Sequence, residues 1–330
     1  MRGLARIAAR LGWATVLAAL AASCRCEPQP GGAAARPTDG GARDDRADAG
    51  VAAPPLKLEV RLFDDEAQAL EAVIASVKPG VIGFGEYHQL TRTNDTLSAI
   101  ARFTHAMLPG LAGGTSDLVV ETWVSAGSCG EVEKQVVSEV DEVSERPAET
   151  ADETVLLLRQ AKALGVAPHI LAVSCAEYEK VLGADGGLDY FAFLELVATR
   201  LGDTAAGIVA KKPAGAPRRI VAIYGGAMHN DVVPRSGFEA VSFARRMREL
   251  GYGPYAEIDL LVPEFVAQST LARDEAWFPL VAKIASPDHV ALIDRGDGAY
   301  ILLLRKGVRN PPPAKADASP GPSSGSDRRK

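Results

Sequence analysis

Histidine and cysteine are scarce in this sequence, with five of the first and four of the second among 330 residues. Any site built on imidazole or thiol must therefore draw on very few positions. A positive excess is missing too: 42 acidic residues outnumber 36 basic ones, for a formal charge of −6. That balance argues against nucleic acid and against charge-driven binding to anionic lipid. The apolar run that invites a membrane reading, Leu11 to Leu20, is too short to cross a hydrocarbon core of about 30 Å as a stable helix.

The same short run fits an export signal. Arg2, Arg6 and Arg10 lead into it, and Ala21-Ala22-Ser23 follow it directly before Cys24, the layout of a signal peptide over residues 1–23. The ending Leu-Ala-Ala-Ser-Cys resembles the lipobox of bacterial lipoproteins, with Leu20 one place earlier than the usual aliphatic position. The resemblance implies a lipid on Cys24. Ordinary secretory cleavage near Ser23 is the other reading, and it leaves Cys24 and Cys26 as free or paired thiols. Either way the expected location is the cell envelope, and Arg25 after Cys24 is compatible with the outer membrane of a Gram-negative cell. Cleavage removes three arginines and no acid, taking the formal charge to −9. Expected partners are the membrane, through the lipid, and small molecules, peptides or other proteins.

Residues 24–55 are Pro, Gly, Ala, Arg and Asp with almost no aliphatic side chains, a composition that cannot bury enough apolar surface to offset chain entropy. They read as a disordered tether, and residues 310–330 read as a disordered tail for the same reason. One domain of ordinary size remains, residues 56–309.

Within it, Val81 to Phe84, Asp117 to Val120, His169 to Val173, Arg219 to Tyr224 and Ala256 to Val262 read as strands buried on both faces. Helical spacing marks Asp64 to Val77 and Asp95 to Leu108, which end at Pro79-Gly80 and Pro109-Gly110, and then Asp152 to Leu164, Leu188 to Leu201 and Phe238 to Leu250. Such alternation predicts an α/β fold with a largely parallel sheet and helices on both faces. The last stretch, turned at Gly296-Asp297-Gly298, predicts an antiparallel hairpin. The acidic segment from Ser125 to Glu153 is either a surface insertion or a lid. Cys129 and Cys175 lie in the folded part, where an oxidising envelope favours a disulfide worth roughly 4 kcal/mol in the entropic account; thiolate metal ligands are the alternative.

In a parallel sheet, ligands bind beyond the carboxyl ends of the strands. The first of these strands runs into Gly85-Glu86-Tyr87-His88, the second into Glu121, and the strand ending at Tyr224 into Gly225-Gly226-Ala227-Met228-His229. Glu86 and His88 are two apart, so extended backbone points them the same way. Two Gly-x-x-His motifs and two glutamates on one rim suit a divalent transition metal, or a general base with its orienting partner and no metal. Glycine there allows positive φ and brings backbone amides close to a ligand. His105, His169 and His289 read as structural or surface residues. Arg92 is a candidate contact for an anionic group, or a solvated loop charge.

At Gly85-Glu86-Tyr87-His88, Val120-Glu121 and Gly226-Ala227-Met228-His229 the chain resembles the superfamily that joins Tiki/TraB proteins, erythromycin-esterase-like enzymes and ChaN-like haem-binding lipoproteins. The Tiki/TraB branch implies a metal-dependent hydrolase with Glu86, His88, Glu121 and His229 around one ion and a metal-bound water as nucleophile. The ChaN-like branch implies haem or iron uptake, with Tyr87 or His88 facing the iron. Glu86-x-His88 differs from the usual esterase spacing, and Gln89-Leu90-Thr91 differs from the ChaN-like continuation. A catalytically inactive scaffold is the third reading.

Overall fold

The computed structural model describes residues 58–310 apart from Asn94. The expected signal peptide (1–23), the lipid site at Cys24, the tether (24–55) and the tail from residue 311 lie outside the described residues. Eight strands form one sheet: β1 (Glu59–Phe63), β2 (Val81–Glu86), β3 (Thr115–Ser125), β4 (Ala167–Val173), β5 (Ile220–Gly226), β6 (Tyr255–Leu261), β7 (Val290–Gly296) and β8 (Ala299–Leu303). Their order across the sheet is β1-β7-β8-β6-β2-β5-β3-β4. The pairs from β8 to β4 are parallel, whereas β7 runs antiparallel to both its neighbours. The fold is thus α/β with a C-terminal antiparallel hairpin.

Around the sheet lie α1 (Glu66–Val77), α2 (Ala99–Arg102), α3 (Leu108–Ala112), α4 (Gly130–Ser144), α5 (Thr150–Ala163), α6 (Cys175–Lys180), α7 (Tyr190–Ala210), α8 (Ala244–Glu249), α9 (Pro263–Val266) and α10 (Phe278–Ile284). Strand alternation divides the core. Ile82, Phe84, Leu118, Val120, Ala222 and Tyr224 face one layer with Ala69, Phe103 and Leu157 from the helical segments. Val81, Val119, Val221 and Ile223 face the other, against Val136 and Val140 of α4 and Phe193, Leu194 and Val197 of α7. Among the described residues no helix is long and apolar enough to cross a membrane.

Several expectations are corrected by tertiary contacts. β4 is an edge strand and half exposed, so a β-branched run there did not mean burial on two faces. β1 escaped the sequence reading because its apolar Val60 and Leu62 are exposed and its neighbours are charged. The helix expected to stop at Pro109-Gly110 passes through them. A π turn at Phe103–Met107 resets the ladder, so Pro109 falls in the first turn of α3, where its missing N–H leaves no bond unmade. Likewise α7 runs through Gly202 to Ala210. That glycine is used for helix packing: a Cβ on it would lie 3.3 Å from Phe243 and 3.4 Å from Arg246. Residues 238–250 form a short 3₁₀ turn and α8 rather than one helix.

Candidate functional site

Glu86 is the last residue of β2 and points with Phe84 and Tyr224 into the first layer. Its Oε1 lies 2.6 Å from His88 Nδ1 and 3.2 Å from Arg146 Nη2, and its Oε2 accepts the Tyr224 hydroxyl at 2.5 Å. The two-residue spacing thus does place Glu86 and His88 on one side. Burial pushes the Glu86 carboxyl above its usual range, with the Arg146 guanidinium and the Tyr224 hydroxyl working against that. Close by, Ser98 donates to Glu153 Oε2 at 2.7 Å, and burial raises the Glu153 carboxyl to about 7. His88 Nε2 is buried and has no hydrogen-bond partner in the protein.

Glu121 and His229 sit on the opposite face. β3 does not end at Glu121, as the sequence suggested, but continues to Ser125, because β4 goes on pairing with it at Trp123, Val124 and Ser125 after β5 has stopped at Val120. By strand alternation Glu121 projects with Val119 and Trp123, on the face opposite Val120. Its Oε2 accepts the Gly226 amide at 2.5 Å, and its Oε1 lies 3.9 Å from His229 Nε2. His229 is fully buried, with Nδ1 on the Val241 carbonyl at 2.9 Å and no protein partner at Nε2.

The glycines of both motifs serve this packing. None of Gly85, Gly225 and Gly226 has positive φ, contrary to expectation; all lie in strands. A Cβ on Gly225 would stand 2.5 Å from Glu121 Oε2, and one on Gly85 2.5 Å from Asn230 Oδ1 and 2.7 Å from Asp259 Oδ1. The amide that the motif brings close goes to Glu121.

Glu86/His88 and Glu121/His229 are thus two pairs on either side of the β2 and β5 ends. Among the described residues no three His, Cys, Asp or Glu side chains are placed to hold one metal ion. Each histidine separately has the arrangement of a metal ligand, with Nδ1 fixed by an acceptor and Nε2 without a partner. Glu86, however, is committed to His88, Arg146 and Tyr224. The four side chains as they stand do not fit one ion.

At the start of α7, burial raises the pKa of the Tyr190 hydroxyl, with the Glu121 charge raising it further and the Arg146 charge working against it. Tyr87 turns away from His88 toward Trp277, edge-on at 6.1 Å, and toward the charges of Asp259, Glu275, Arg235 and Arg295. That second cluster is internally paired: Arg295 reaches Glu257 at 2.7 Å, Asp259 at 3.3 Å and Asp231 at 3.5 Å.

The acidic segment forms α4 and then turns at Glu145, which has φ 47°, so that Arg146 enters the site. Glu145 is tied down from outside: its carbonyl accepts the Thr91 amide at 3.0 Å and hydroxyl at 2.6 Å, and its carboxylate meets Arg92 at 3.4 Å. Arg92, the candidate anion contact, is thereby occupied with Glu145 and with Gln268. Cys129, capping α4, is bonded to Cys175, the first residue of α6, with Cα atoms 5.0 Å apart, so neither is a thiolate. His169 bonds Asp117 at 2.9 Å, away from the site, and His105 is exposed in the π turn.

Arg146, Tyr224, Glu153 and Tyr190 were missed in the sequence. Arg146 alone left a trace, as the single base between Lys134 and Arg159 in an acid-rich stretch; the others need the register and the helix packing. Comparison with family models, with curated proteins and with solved structures gives no match for this chain.

Proposed function

We propose that the chain is an exported, lipid-anchored hydrolase of the Tiki/ChaN-like type in which His88 is the general base and Glu86 its orienting partner. The observation that carries the reading is the 2.6 Å contact between His88 Nδ1 and Glu86, which leaves Nε2 buried and unpartnered at the carboxyl end of a parallel strand. A carboxylate on Nδ1 fixes the tautomer and supports the imidazolium that forms when Nε2 takes a proton, as in the histidine–aspartate part of a catalytic triad. The negative net charge of −6 favours small-molecule or peptide substrates over nucleic acid.

A screen of ester, amide and peptide substrates on the full chain tests this. Activity should fall by about 10² to 10⁴ in His88→Ala and survive in His105→Ala. Equal activity in His88→Ala and wild type would sink the reading.

A second reading, a transition-metal or haem site, is favoured by the two unpartnered Nε2 atoms of His88 and His229. Stoichiometric metal in the purified chain, lost in His88→Ala/His229→Ala, or a Soret band on adding haem that His88→Ala or Tyr87→Ala weakens, would turn the assignment that way.

A further inference from the structure

Charge is unevenly placed on this fold. The loop leading into β5, Lys211-Lys212-Pro213-Ala214-Gly215-Ala216-Pro217-Arg218-Arg219, holds four cations and no acid, and all of it but Lys212 is exposed. Register sets Val81 of β2 beside Val221 of β5 and Tyr255 of β6, so this loop gathers with Lys78 and Arg248 at the amino end of the parallel strands. Arg218 donates to the Lys78 carbonyl at 3.1 Å, Arg219 to the Thr115 carbonyl at 2.6 Å, and Arg248 to the Asp297 carbonyl. Main-chain carbonyls hold these guanidinium groups in place without cancelling their charge. Among the described residues Lys212 alone of the six cations is ion-paired, to Asp117. By contrast Arg245 and Arg246, one turn earlier on α8, are neutralised by Glu249 and Asp203. Arg248 also lines a cavity of about 390 Å³ with Pro254 and Tyr300, room for a phosphate head group.

The entry of the chain points the same way. β1 is antiparallel to β7 and β7 to β8, so β1 runs with the parallel strands and Glu59, its first residue, lies at the basic end. The polypeptide coming from Cys24 therefore reaches the domain there. Glu86 and Glu121 lie toward the other end, about 20 Å away along β5 at roughly 3.3 Å per residue. We propose that the amino end of the sheet docks on an anionic bilayer through lipid phosphates, and that docking turns the Glu86/His88 end toward water. The choice of bilayer, the one holding the Cys24 lipid, rests on the anchored reading; the contact itself does not. A net charge of −6 does not oppose it, because charges beyond a Debye length of about 8 Å are screened and the bilayer responds to the near face. There the exposed acids Glu59 and Asp297 offset two of the five unpaired cations. A surplus of three, at about fivefold in affinity per cation, gives roughly a hundredfold preference for anionic over zwitterionic lipid.

The test is lysine footprinting of the full chain with vesicles of phosphatidylcholine alone or mixed with phosphatidylglycerol, at millimolar lipid. Acetylation by a water-soluble succinimidyl ester is read residue by residue by mass spectrometry. Lys78 and Lys211 should react about tenfold more slowly on the anionic vesicles than on the zwitterionic ones. Lys283 and Lys306, exposed and on the carboxyl side, should react alike on both. About 0.5 M KCl, which shortens the screening length to about 4 Å, should erase the protection. Arg218→Gln/Arg248→Gln leaves both reporter lysines in place and should lose most of it, whereas Lys283→Gln/Lys306→Gln, with the same net charge, should keep it. The proposal is overturned if Lys78 and Lys211 react alike on both vesicles, if Lys283 and Lys306 are protected equally, or if protection survives the salt. It is overturned too if inorganic phosphate without vesicles protects as well, since the site would then bind a free anion. These wild-type comparisons stand even where a variant fails to fold. The intact mass reports lipid on Cys24 separately: protection in a chain without it would remove the anchored reading alone.

Discussion

The Glu86–Arg146 pair gives the sharpest test of how the closed site is held. Their side chains are 6% and 7% exposed, and the contact is 3.2 Å. Removing one member of such a pair leaves an uncompensated buried charge, which costs about 3–5 kcal/mol, whereas removing both is often neutral or stabilising. Arg146→Met strands the Glu86 carboxylate, but Tyr224 and His88 still bond its two oxygens, so the lower end, about 3 kcal/mol, is expected. The cost should grow with pH. Burial already holds the Glu86 pKa up, and loss of the guanidinium that opposes this raises it further. A raised carboxyl binds its proton in the folded state, so stability present below the ordinary carboxylate range is lost as pH rises toward the higher folded pKa. Glu86→Gln/Arg146→Met should regain most of the loss and flatten the pH dependence. Urea unfolding of the four corners of this cycle at pH 5 and pH 8 measures it. Were the double variant as unstable as Arg146→Met, the loss would come from packing of the Arg146 side chain, and the charge account would be refuted.

Three further outcomes follow from named contacts. Ser substitution at both Cys129 and Cys175, which are 46 residues apart and bonded, should cost about 4 kcal/mol by the loop-entropy relation, seen as a matching loss when wild type is unfolded in reductant. Glu153 is held at about 7 against an ordinary 4.5, so the folded state keeps its proton and loses stability as pH rises from about 4.5 through about 7; Glu153→Gln should equal wild type near pH 4 and exceed it at pH 8.5 by at most about 3 kcal/mol, partial exposure reducing the figure. Two glycines should respond to alanine with opposite sign in calorimetric melts. Gly225→Ala drives a Cβ against Glu121, which the Gly226 amide pins, and should cost about 1–3 kcal/mol. Gly207→Ala, inside α7 with open space around it, should stabilise by roughly 0.5–1 kcal/mol.

By itself the sequence determined the layers. The β-branched runs at Val81, Val119, Ile170, Ile220 and Ala256 and the helical stretches between them require a parallel sheet, and Gly296-Asp297-Gly298 requires the hairpin, because both signals are periodic and local. The pairing of Glu86 with His88 was legible for the same reason: two residues in extended backbone share a side. Only the tertiary structure decided the rest of the site. Which face Glu121 takes depends on register: Val120 lies beside Tyr224 and Tyr224 beside Phe84, so Glu121 falls on the side opposite Glu86, and this separates the four residues expected to converge into two pairs. Strand order and register bring Tyr224 to Glu86, although 138 positions separate them. The turn after α4, pinned by Thr91 and Arg92, sends Arg146 inward. These are long-range contacts, fixed by side-chain packing across the sheet, and no local spacing in the chain encodes them.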